Sequence, residues 1–169
     1  MASDFSFEQN SYPFIVFGTI ILFVSWLFFN SSASMSVYHK SSESISKIVM
    51  VTIISGTSGG IVSTFTKPFI MRTYGPRNRY DIAACTNGML AGLVSITGVC
   101  NRVDPWAAWL IGITSSFVYG FSCRLLKSLN IDDPIEAAPV HGFCGLWGTI
   151  AVGIFDNKYG LLTGNPGCA

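Results

Sequence analysis

The sequence predicts an all-α fold, a polytopic membrane bundle of about five transmembrane helices, and three observations lead there. Charged residues make up 11% of the 169 positions while 50% are hydrophobic, whereas a soluble domain carries about 25% charged residues. Mean hydropathy is +0.49. The charges are also clustered: none falls between Glu8 and Lys40, Lys47 and Lys67, Asp81 and Arg102, Asp104 and Arg124, or Glu136 and Asp156. This composition excludes a disordered chain, a soluble enzyme with a charged shell, and a nucleic-acid binder driven by basic patches. The net charge of +1 supplies no pull toward an acidic partner. The partner that the composition demands is the lipid bilayer.

A bilayer span takes about 20 apolar residues at 1.5 Å rise each. Five uncharged runs meet that length, near Phe14–Phe29, Ile48–Phe65, Ile82–Val99, Pro105–Cys123 and Ala137–Phe155. The first ends Val24-Ser25-Trp26-Leu27-Phe28-Phe29-Asn30, with aromatics that either anchor the helix at the interface or close a narrow pore and hold a cation on a ring face. It is a span rather than a signal peptide, because Asp4 and Glu8 precede it where a signal carries positive charge. The sequon Asn30-Ser31-Ser32 abuts this span too closely to be used. The second run contains Gly56, Gly59 and Gly60, and the third contains Gly88 and Gly92 behind Asn87, a side chain placed to bond between helices. The fourth opens on Trp106 and Trp109, which read as interface anchors, and continues to Gly112. The fifth carries Gly142, Gly145 and Gly148. In lipid such small residues let helix backbones approach, so these helices pack on one another. A soluble bundle would need charged outer faces that all five runs lack.

An odd number of spans puts the termini on opposite sides. One side takes residues 1–13, 66–81 and 124–136, with Lys67, Arg72, Arg77, Arg79, Arg124 and Lys127; the other takes Lys40, Lys47, Arg102 and Lys158. The excess of positive charge makes the first side cytoplasmic. The chain then divides into a cytoplasmic segment 1–13, a membrane domain 14–155 and an extracytoplasmic segment 156–169.

Polar groups at membrane depth are costly and usually functional. The outstanding one is His141, in Pro139-Val140-His141-Gly142. Its ring can donate from one nitrogen and accept at the other, so it either handles a proton or bonds a neighbouring carbonyl as helix glue. His39 lies in a serine-rich charged loop and reads as a solvated surface residue. Asp132, Asp133 and Glu136 precede the last helix, where carboxylates cap amides and complement the dipole, or else form a negative vestibule that gathers cations. Composition favours the cap. The five cysteines (85, 100, 123, 144 and 168) show no CxxC pair or metal spacing and read as small packing residues. No nucleophile–base pair, metal cluster or phosphate loop argues for catalysis, a metal or a cofactor.

Four stretches together resemble the ammonium transporter (Amt/Mep/Rh) family: Gly18-Thr19-Ile20 through Asn30, Asn87 through Thr97, Asp104 through Gly112, and Asp132-Asp133-Pro134 leading into Pro139 through Gly148. Their order spans essentially the whole chain. Family members have eleven spans, with two inverted five-helix repeats around one pore per subunit, in trimers. The chain resembles the second repeat, the sixth to tenth spans. The resemblance implies that His141 is the second of two pore histidines, Phe29 one of two stacked gate phenylalanines, Trp26 a pore-lining tryptophan, and Glu136, with Asp132 and Asp133, part of the cytoplasmic vestibule. It implies transport of ammonium or ammonia across the plasma membrane through an apolar pore, by a homo- or hetero-trimer or with a complementary half.

Departures from the family pattern matter equally. A family glycine is Phe28 here, which would crowd a close helix contact, and the serine of the outer ammonium site is Ala33. The first histidine and the other gate residues belong to the other repeat. The isolated chain is therefore expected not to transport. The competing expectations are a non-transporting interaction subunit of a transporter trimer, and an incomplete gene product, since Gly164–Ala169 stops before an eleventh span.

Overall fold

The computed structural model describes residues 11–32, 42–72 and 81–162. Within them the chain forms α1 (Tyr12–Ser32), α2 (Ser42–Met71), α3 (Ile82–Thr97), α4 (Pro105–Ser128), a π-helical turn (Ala138–Phe143) and α5 (Cys144–Phe155), with no strand among the described residues. Four stretches are long and apolar enough to cross a membrane: α1, α2, α4, and the π-turn continued by α5. At 16 residues α3 is shorter, and at 1.5 Å per residue it covers about 24 Å. His39, Lys40, Ala33, Ser34, Arg77, Arg79 and Cys168, together with residues 1–10 and 163–169 of the terminal segments, lie outside the described residues.

Boundaries follow local chemistry. Asp81 caps α3 by accepting a hydrogen bond from the Ala83 amide at 2.9 Å. Pro105 opens α4, where a missing N–H costs nothing. The Asp104 carboxylate makes no cap bond and instead takes Lys47 Nζ at 2.8 Å. The second helix runs six residues past the expected Phe65, through Pro68, because a proline in the last turns removes only one ladder bond. This corrects the placement of Lys67: it is a buried residue of α2, not a loop cation. The Arg124 guanidinium donates to the Ile70 carbonyl at 3.3 Å, meeting one of the open acceptors at the α2 C-terminus.

The centre is a tight α2–α3–α4 contact built on small residues. A Cβ on Gly59 would lie 2.6 Å from the Gly88 carbonyl oxygen, so the two backbones meet directly. Serine hydroxyls tie them: Ser55 donates to the Gly92 carbonyl at 2.9 Å and Ser116 to the Gly59 carbonyl at 2.8 Å. On the other side of α3, Ser95 donates to the Cys144 carbonyl at 3.1 Å, joining it to α5. Ile48, Val51, Ile96, Ile111 and Phe155 fill the apolar core at one end, and Ala91, Tyr119, Cys123 and Val140 that at the other. The four described cysteines are free thiols, three of them buried.

The outer helices rest on different neighbours. α1 packs on α2 and α3, and the π-turn with α5 packs on α3 and α4; α1 and α5 do not touch. Of the α1 side chains only Thr19 and Asn30 are buried, and Phe14, Phe17, Ile20, Ile21 and Phe28 are among the apolar ones left exposed, as on a helix that faces lipid or another protein. After α5 the chain folds back: Leu161 N–H donates to the Gly153 carbonyl at 2.9 Å, and Asp156 accepts from the Lys158 amide at 2.7 Å.

Candidate functional site

The segment before α5 is organised by its carboxylates. Asp133 accepts hydrogen bonds from the Ala137 and Ala138 amides at 3.0 and 2.8 Å, satisfying two donors that a helix start leaves open. Asp133 is thus a helix cap, and Asp132 is exposed. The chain then enters the π-turn, a wider form of helix found mostly as single turns at functional sites. Pro139 and Val140 are buried, Val140 against Tyr119, Cys123 and Cys144, whereas His141 and Gly142 are exposed. The imidazole makes no hydrogen bond with any described residue, so the carbonyl bond of the helix-glue reading is absent.

Trp26 and Phe29 sit on α1. The Trp26 indole N–H donates to Thr97 Oγ1 at 2.8 Å, and that hydroxyl donates to the Leu93 carbonyl at 2.8 Å. Phe29 meets Trp26 edge-to-face, centroids 6.1 Å apart, and remains 60% exposed. Phe28 is exposed as well. Asn30 is buried and donates to Thr52 Oγ1 at 3.1 Å, which leaves its amide inaccessible to glycosylation. Among the described residues no hydrogen bond or ring contact joins either α1 residue to His141. α1 meets α3 near Thr97 and Glu136 meets it at Asn87, ten residues or about 15 Å apart, while the π-turn between them packs near Ala91.

Glu136 lies at the second level, and it is not an open vestibule carboxylate. Lys67 Nζ donates to Oε1 at 2.6 Å and to Oε2 at 2.8 Å, and Asn87 Nδ2 donates to Oε2 at 2.8 Å. The Tyr119 hydroxyl donates a short bond to the same oxygen, and Lys67 Nζ also lies 2.8 Å from that hydroxyl and 5.1 Å from the ring centroid. Burial pushes the Glu136 carboxyl up, but the Lys67 charge and the three donors outweigh it and hold the group below its ordinary 4.5. Asn87 bonds between elements as its position suggested. Lys67 and Tyr119 were missed: the lysine fell in an assumed loop, and the tyrosine looked like any aromatic of an uncharged span. The available signal was that both side chains belong to the same end of the bundle as Glu136.

The sequence profile of the Ammonium Transporter Family matches residues 2–167. The chain belongs to the ammonium transporter family. It is 35% identical to Ammonium transporter Amt2 of Archaeoglobus fulgidus over 90% of this chain and 31% of that protein. It is 32% identical to Ammonium transporter 1 member 2 of Arabidopsis thaliana over 94% of this chain and 34% of that protein. Among solved structures, Candida albicans Mep2 aligns at TM-score 0.78 with 28% identity, over 90% of this chain and 31% of Mep2. A structure described as a sensor Amt protein aligns at TM-score 0.77 with 30% identity, over 91% of this chain and 36% of that one. The ammonium transporter homologue described here therefore spans about a third of the length of the relatives it matches. It is an integral, multi-pass membrane protein of a transporter family.

Proposed function

We propose that this chain forms one wall of an ammonium or ammonia pathway, with His141, Phe29 and Trp26 lining it. The observation that carries this reading is the exposure of His141 beside buried Pro139 and Val140. A polar ring in a membrane helix that faces neither its own bundle nor a hydrogen-bond partner is expensive unless it faces a cavity or a second protein surface. The surface of a complementary repeat would give it such a place. Inverted-repeat transporters set their pathway at the interface of two repeats, and this chain fits the second of them, in a plasma-membrane trimer.

The isolated chain has a pathway with one side open, so it does not transport by itself. Expression in cells lacking their own ammonium uptake tests both statements. The chain alone is expected to give no growth on low ammonium. Co-expression with the first five spans of a family member is expected to restore growth, and His141→Ala to abolish it. Restored growth that survives His141→Ala would remove His141 from the pathway.

A further inference from the structure

Glu136 is unusual in its backbone as well as its side chain. Its φ is 55°, left-handed in a residue with a full side chain, a conformation that persists only when the surroundings impose it. The surroundings do so from three helices: Lys67 of α2, Asn87 of α3 and Tyr119 of α4 all donate to its carboxylate. The same residue starts the turn that carries the histidine, since the Glu136 carbonyl accepts from the Val140 amide at 3.1 Å. His141 is the next residue.

Burying a lysine ammonium is a poor way to gain stability. The Lys67 side chain is 9% exposed, and replacing a buried ion pair by apolar residues of similar volume is often neutral or stabilising. What such a cluster does supply is a single geometry, because its donors leave the carboxylate one place to be. Geometry matters here, for a slip of one residue in a helix turns a side chain by about 100°. That rotation would exchange exposed His141 for buried Val140.

We propose that Lys67, Asn87 and Tyr119 form a positioning cradle: by clamping Glu136 in its left-handed conformation they fix the register of the π-helical turn and thereby the direction in which the exposed His141 points. Its consequence for transport rests on the pathway reading above; the geometric claim does not.

The test uses the full chain in lipid nanodiscs with nitrogen-15-labelled histidine, the His141 ring signals being assigned by their loss in His141→Gln. Tyr119→Phe and Glu136→Gln are expected to displace and broaden the His141 ring resonances. Lys67→Arg, which keeps charge and donors, is expected to hold them near their original positions. Lys47→Met, which breaks the ion pair with Asp104 at the opposite end, is expected to leave them unmoved. Tyr119→Phe keeps the ion pair and the packing, so it decides the question should Glu136→Gln fail to insert. Unmoved His141 signals in Tyr119→Phe, with helix content preserved by circular dichroism, would overturn the proposal, and so would an equal shift in Lys47→Met. Signals that follow the cradle while His141→Ala leaves complemented growth intact would keep the cradle and discard only the pathway.

Discussion

Removing the ammonium at Lys67 leaves Glu136 buried with its charge uncompensated. Lys67→Met is therefore expected to destabilise the folded chain by about 3–5 kcal/mol, the range for breaking a buried pair from one side. The double variant Lys67→Met with Glu136→Leu should recover most of that loss, and Lys47→Met should cost no more than about 1 kcal/mol because its pair with Asp104 is exposed. Chemical unfolding in detergent, read by tryptophan fluorescence, orders the three. The pH dependence has a definite sign. The folded-state pKa of Glu136 lies below its ordinary 4.5, so the contribution of the cluster is complete above that value and is lost as pH falls through the folded one. The unfolding midpoint of the native chain should drop on acidification below 4.5, and Glu136→Gln should lower the midpoint at neutral pH and flatten this part of the curve. His141, Trp26 and Phe29 were legible in the sequence because family motifs carry them. The cradle was not, because Lys67 meets Glu136 across 69 positions and only the fold makes them neighbours.

Helices were legible wherever charge brackets an apolar run, and all five expected runs coincide with helices, with α2 longer by six residues at each end and α4 by five at its C-terminus. Their ends were less so. The Arg124 bond to the Ile70 carbonyl at the α2 end comes from a distant helix, and the π-turn looked like ordinary helix because Pro139 sits in its first turn, where a missing N–H costs nothing. Glycine patterning predicted close packing correctly but not which glycines bear it. Gly59 and Gly148 do: an added Cβ would lie 2.6 Å from the Gly88 carbonyl oxygen and 2.8 Å from the Ser95 carbonyl oxygen, backbone atoms that cannot swing aside. Gly59→Val and Gly148→Val are expected to destabilise by about 1–3 kcal/mol or more. Gly18 and Gly153 have nothing within 4 Å of an added Cβ, so Gly18→Ala and Gly153→Ala should be tolerated, with a helix-propensity gain of up to about 1 kcal/mol. The fraction of monodisperse protein on size exclusion and the thermal midpoint separate the two pairs.

Across the whole bundle, the two ends differ in how their charges are used. At the end holding Lys47, Arg102 and Lys158, Lys47 and Arg102 are engaged by Asp104 and Asp156, at 2.8 and 3.3 Å. At the end holding Glu136, Lys67 is buried inside α2, away from the membrane surface where basic residues set orientation. Counted along the sequence, Arg72, Arg77, Arg79, Arg124 and Lys127 then stand against Lys40, Lys47, Arg102 and Lys158. The rule that weighs basic residues near span ends is therefore expected to place the Glu136 end in the cytoplasm by a margin of one, smaller than the sequence suggested. An orientation with so small a margin is sensitive to individual charges. In a chain freed of its native cysteines, a cysteine at Asp132 should react with a membrane-impermeant maleimide only after permeabilisation, and one at Asn157 in intact cells. Converting Lys127 to Gln should erase the bias and yield a mixed population in which each site labels partly from outside. Full labelling at Asp132 in intact cells, with none at Asn157, would reverse the orientation. The cradle would then lie at the outer end of the bundle, and Trp26 and Phe29 toward the cytoplasm.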